Sequence, residues 1–136
     1  MIKLKNGFTL IELMITCTII GILILIAITL YTPQVRKGRR SDGLNTLFAM
    51  SLAEERYRSN NTTYGTLAQV WGGVTTSTGG YYTLSISNVS ATAYTLTAVA
   101  QGDQTNDSDS GTNCTTLTLS LSAGTISKTP TNCWPS

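Results

Sequence analysis

The chain has 136 residues, only 12% of them charged, a formal net charge of +2 and no histidine. That length leaves room for one modest globular domain beside any long helix. The missing histidine excludes a Ser-His-Asp or Cys-His catalytic arrangement, and the near-neutral balance excludes a broad phosphate-gripping basic patch on the C-terminal part.

Taken in chain order, Lys3 and Lys5 open the sequence. Gly7-Phe8-Thr9-Leu10-Ile11-Glu12-Leu13 then places one carboxylate, Glu12, near the start of an otherwise uncharged apolar run. From Leu13 to Tyr31 no side chain is charged, and at about 1.5 Å rise per residue the run approaches the ~30 Å hydrocarbon thickness of a bilayer. The pattern predicts a transmembrane helix. A lone Glu at the edge of such a helix is costly without a partner, which makes Glu12 a functional candidate. A secretory signal peptide fits less well, because its apolar region is about 7–15 residues and ends at a small-residue cleavage site.

The contiguous Gly7-Phe8-Thr9-Leu10-Ile11-Glu12 resembles the N-terminal signature of type IV pilins. The resemblance implies a leader over residues 1–7, cleaved after Gly7 by a prepilin peptidase that also acts as methyltransferase, and N-methylation of Phe8. It further implies that Glu12 attracts the amine of a neighbouring subunit's first residue during filament assembly. Pilins commonly carry a proline where this chain has Thr29, and here the proline is Pro33, a departure from the family pattern.

After the span, Arg36, Lys37, Arg39 and Arg40 cluster. They are read as anchors at the headgroup level of the membrane. Leu44, Leu47, Phe48, Leu52 and Tyr57 form one apolar stripe of a continuing helix, while Asp42, Asn45, Glu54, Glu55, Arg56 and Arg58 fill its other faces. A nearly continuous helix from Thr9 to about Asn60 is expected, interrupted at most near Pro33, Gly38 and Gly43.

Thr62 to Gly80 reads as a Gly/Thr/Ser-rich connection with one helical turn around Leu67, Val70 and Trp71. Period-two alternation then predicts strands around Tyr82-Leu84-Ile86, Tyr94-Leu96-Ala98 and Leu117-Leu119-Leu121, and a turn at Ser122-Ala123-Gly124 leads to a short fourth strand over Thr125–Lys128. The expected fold class is α+β, a long N-terminal helix packed on a four-stranded antiparallel sheet. The domains are residues 1–7 (leader), 8–35 (membrane and filament-core helix) and 36–136 (globular head).

Cys114 and Cys133 flank the last segment of the polar domain, whereas Cys17 lies inside the apolar helix, so a Cys114–Cys133 disulfide is the natural pairing. It needs an oxidising compartment and places the head outside the cytoplasm, against the count of positive charges. Asp103, Asp107 and Asp109 offer carboxylate oxygens to calcium, but no distal bidentate Glu follows, and a solvated polar loop is the plainer reading. No catalytic residue, resident metal or cofactor is expected. Trp134 is expected to pack over the disulfide rather than bind a ligand.

Tyr81-Tyr82-Thr83-Leu84, Thr97-Ala98-Val99-Ala100-Gln101-Gly102, Cys114-Thr115-Thr116-Leu117-Thr118-Leu119 and Cys133-Trp134 are similar to PilE-like minor pilins and to DNA-uptake minor pilins. The resemblance implies a non-enzymatic pilus subunit that serves twitching motility, adhesion or DNA uptake. Its partners would be other pilin subunits, the prepilin peptidase and the pilus assembly machinery. It would reside in the bacterial inner membrane as a precursor and then in the extracellular pilus. Two alternatives share these residues: a DNA-uptake receptor pilin, for which Lys128 is the only basic residue after Arg58, and a pseudopilin of a type II secretion system.

Overall fold

The computed structural model describes residues 7–135, so the expected leader, apart from Gly7, lies outside the described residues together with Lys3 and Lys5. Helix α1 spans Leu10–Asn60, with Pro33 inside it, as the sequence led one to expect. Two compact units meet at Gln34 and Val35.

The N-terminal unit is the apolar part of α1. It is long and apolar enough to cross a membrane by length and composition. Its large side chains are exposed, from Phe8 and Leu10 through Leu25 to Tyr31. Within it the hydroxyls of Thr16, Thr18 and Thr29 donate to carbonyls one turn back, so these polar groups are satisfied by the helix itself. Thr32 does the same toward Ile28, one residue before the proline that has no N–H to give.

In the second unit, α1 from Val35 to Asn60 lies on a sheet. A short helix α2 (Leu67–Trp71) follows, with Gly72 in the left-handed conformation that ends it. Strands β1 (Tyr82–Ser87), β2 (Ala93–Ala100), β5 (Thr116–Ser122) and β6 (Thr125–Thr129) form an antiparallel sheet in the order β1-β2-β5-β6. Two features were not anticipated: a 3₁₀ turn at Gly102–Asn106 and a small hairpin of β3 (Ser108–Asp109) and β4 (Thr112–Asn113), both in the stretch read as a solvated loop.

The alternation puts Tyr82, Leu84, Tyr94, Leu96, Ala98, Leu117 and Leu119 on the inner face, where they are buried against Leu44, Leu47 and Met50 of α1. The helix stripe is thus rotated from the expected one. Phe48 and Leu52 stay 39% and 53% exposed, while Gly43, Thr46, Met50 and Glu54 are buried in their place. Gly43 explains the rotation: a Cβ there would sit 2.9 Å from Cδ2 of Tyr82, so the glycine lets a large aromatic ring lie flat against the helix backbone.

Candidate functional site

At the start of α1, Gly7 and Phe8 precede the helix and are exposed, Phe8 by 77%. Thr9 caps the helix: its side-chain oxygen accepts from the Glu12 amide at 3.3 Å, and its carbonyl accepts from the Leu13 amide at 3.2 Å. Glu12 therefore lies in the first turn, where the helix dipole favours an anion. The sequence signal for this is Thr9-x-x-Glu12, a capping pattern. Among the described residues the Glu12 carboxylate makes no hydrogen bond or ion pair.

The head holds a second charged constellation, built from the basic residues just after the span. Arg36 and Arg40 are one helical turn apart on α1, and Asp103 within the 3₁₀ turn and Asp107 at its end keep the same step of four. Arg36 meets Asp103 in a bidentate pair, Nε at 3.1 Å and Nη2 at 2.7 Å. Arg40 does the same with Asp107, at 2.7 and 2.9 Å, and its third nitrogen, Nη1, donates to Asp109 at 2.8 Å. Lys37 and Arg39 add looser contacts to Asp109 and Asp103, at 3.3 and 3.7 Å. The side chains of Arg40 and Asp107 are only 4% and 1% exposed. Gln104, buried between the two rungs, donates from Nε2 to the Arg36 carbonyl at 2.9 Å and to the Tyr82 hydroxyl at 3.0 Å.

These contacts revise two expectations. Arg40 is enclosed by the head rather than held at a headgroup surface, and the aspartates weighed as calcium ligands face basic side chains of their own chain. Among the described residues no group of three potential ligands is arranged to hold a metal ion. Charge pairing shows in the titration of the exposed members. Arg40, then Lys37 and Ser110, hold the Asp109 carboxyl down to about 2, and Arg36 holds Asp103 below its ordinary value. Burial pushes the Tyr82 hydroxyl up to about 12.

Glu54 is buried in the core instead of lying on a solvated face. Its Oε2 accepts the Gly65 amide at 2.9 Å, and Oε1 has no partner among the described residues. Desolvation raises its pKa, an effect that the Gly65 hydrogen bond only partly offsets. It pins the start of the segment that leads to α2.

Cys114 and Cys133 form the expected disulfide, with Cα atoms 5.6 Å apart. Trp134 packs edge-on against Phe48, ring centroids 5.6 Å apart, and its indole N–H donates to the Thr129 carbonyl. The Lys128 ammonium lies 4.9 Å from the Phe48 ring centroid, so the basic residue singled out on the late part of the chain faces an aromatic pair.

Two family models match the sequence. One, described as "Prokaryotic N-terminal methylation motif", covers residues 2–28; the other, described as "Type IV minor pilin ComP, DNA uptake sequence receptor", covers residues 29–118.

Proposed function

Because the chain belongs to the type IV minor pilin family, whose model spans residues 29–118 after the N-terminal methylation motif, we propose that it is a pilus subunit that takes part in DNA uptake. Residues 1–7 are the leader, removed after Gly7 by the prepilin peptidase, and Phe8 is the methylated first residue. Residues 8–35 hold the precursor in the inner membrane, with residues 36–136 on the periplasmic side. On assembly the same helix moves into the core of the filament among other pilin subunits.

The observation that carries this reading is the exposed apolar surface from Phe8 to Tyr31. Such a surface is stable in lipid or against sister helices and is unstable in water. Glu12 supplies the docking chemistry. In a low-dielectric bundle its carboxylate needs a counter-charge, and the new amine of a neighbouring Phe8 is one. Replacing Gly7 with a bulky residue should leave the precursor uncleaved, and Glu12→Ala should leave it cleaved but excluded from pili. Normal processing and normal piliation in both variants refute the assignment.

The DNA reading rests on the family description and meets a head with few spare cations. Arg36, Lys37, Arg39 and Arg40 are engaged with aspartates. Arg56, Arg58 and Lys128 have no acidic partner among the described residues. At a slope of about −0.9 per neutralised phosphate, three contacts give a log affinity against log salt slope no steeper than about −3. A duplex-binding titration across salt checks this. No binding above a neutral control protein removes the receptor role and leaves the structural one.

A further inference from the structure

Residues 61–81 connect α1 to β1, and carboxylates of α1 hold this connection at both ends. At its start Glu54 Oε2 accepts the Gly65 amide at 2.9 Å, and the neighbouring Glu55 accepts the Tyr64 hydroxyl at 3.1 Å. Near its end Asp42 Oδ1 accepts the Gly79 amide, also at 2.9 Å. Between these pins the connection buries little. No residue of α2 is fully buried, and a cleft of about 310 Å³ is lined by Asp42, Asn45, Thr46 and Ala49 of α1 and by Trp71 and Thr78 of the connection.

The pins are not equivalent. Glu55 is exposed and Asp42 half-buried, whereas Glu54 is 0% exposed. Among the described residues Glu54 Oε1 has no hydrogen-bond partner, and no Lys or Arg pairs with either oxygen. The titratable groups around Glu54 and Gly65 are Glu55, Tyr57 and Arg58 on α1, Tyr64 on the connection and Tyr94 on β2. Strand β1 carries only Tyr82, which lies at Gly43; β5 carries none, and Lys128 of β6 faces Phe48. An ionised Glu54 is thus a buried carboxylate with one hydrogen bond and no counter-charge, and a neutral one needs far less solvation. Burial accordingly raises its carboxyl above the ordinary value; the Gly65 bond opposes the rise and Glu55 adds to it.

We propose that Glu54 is a proton-controlled latch on this connection. Protonated, it stays in the core and holds the Gly65 amide. Ionised, it gains hydration only when the chain over it lifts, so residues 64–71 open locally while the sheet stays closed. The stretch is therefore held in acid and released as the pH rises through the folded value of Glu54. Asp103 and Asp109 act in the opposite sense and below about 3.8, and Tyr64 and Tyr94 are raised above 10, so none of these titrates where the latch works.

Amide hydrogen exchange of the full chain in detergent micelles tests this from about pH 4 to about pH 8, read as protection factors so that the intrinsic pH dependence of exchange cancels. In the wild type, protection over residues 64–71 should fall roughly tenfold across that range while β2 and β5 keep theirs. Glu54→Gln keeps an acceptor for the Gly65 amide and cannot titrate, so it should abolish the fall. Glu55→Gln, at an exposed position, should retain it. Should Glu54→Gln fail to fold, the wild-type and Glu55→Gln profiles still decide. Protection that does not change with pH in the wild type overturns the proposal, as does an equal loss in β2 and β5. So does a folded Glu54→Gln chain with the wild-type fall, or a Glu55→Gln chain without it.

Discussion

Replacing Arg40 with Met removes the guanidinium and keeps most of the side-chain volume, and it strands a carboxylate. Asp107 loses both bonds of its bidentate pair, at 2.7 and 2.9 Å, while its side chain is 1% exposed and water cannot take the place of the donors. Removing one partner of a buried pair typically costs about 3–5 kcal/mol. Protonation limits the loss, since neutralising an ordinary carboxyl at pH 7 costs about 4 kcal/mol. The expected destabilisation is therefore about 3–4 kcal/mol, at least ~12 °C in melting temperature for a head of this size. Near-UV circular dichroism of the detergent-solubilised chain, which reports the packed tyrosines and tryptophans, measures it. Arg40→Met with Asp107→Leu should recover most of the loss, because a well-packed apolar pair often does as well as a buried ion pair. A single variant that melts within ~3 °C of the wild type, or a double variant that is no better than the single, would show that the pair is not what holds the 102–113 segment on α1.

Acid should act on the head through two opposed groups. Asp109 and Asp103, held low by their basic partners, contribute stability that is present above their unfolded value near 3.8 and is lost as pH falls toward about 2. Glu54 is raised by desolvation, so its contribution is full below about 4.5 and fades as pH rises through its folded value. Glu54→Gln should flatten the alkaline side of the melting profile and leave the acid side unchanged. Gly43→Ala should destabilise by about 1–3 kcal/mol, because its Cβ meets the Tyr82 ring, whereas Gly38→Ala, with open space around it, should gain up to about 1 kcal/mol from helix propensity; paired melts decide. Replacing Cys114 and Cys133 with Ala opens a loop with a separation of 19 residues and should cost about 3 kcal/mol, read from denaturant midpoints.

The residues that announced the fold did so through local period. Tyr82, Leu84, Tyr94, Leu96, Leu117 and Leu119 alternate on their own strands, and the apolar run after Glu12 needs no partner to be recognised. The disulfide was legible because the third cysteine, Cys17, sits in the apolar helix. What stayed hidden depends on distant pairing. Arg40 and Asp107 are 67 positions apart, and nothing near either residue distinguishes a buried ion pair from a solvated loop facing a basic anchor. Glu54 looked like a surface charge because its hydrogen-bond donor is the backbone of Gly65, and a backbone amide leaves no trace in side-chain patterning. Hydrophobicity favours Phe48 and Leu52 for the buried stripe, yet it is Gly43 that leaves room for the Tyr82 ring and turns the helix.

The two guanidinium rungs share one offset: Arg36 to Asp103 and Arg40 to Asp107 are each separated by 67 residues. Helix and 3₁₀ turn thus run in step, like two rulers clamped at matching marks. Exchanging the charges within a rung preserves the match. Inserting or deleting a single residue between Arg36 and Arg40 swings one mark about 100° around the helix and opens the clamp. Along these two stretches the spacing is as constrained as the paired residues themselves, and a natural relative with an indel there must fasten its C-terminal half by other means.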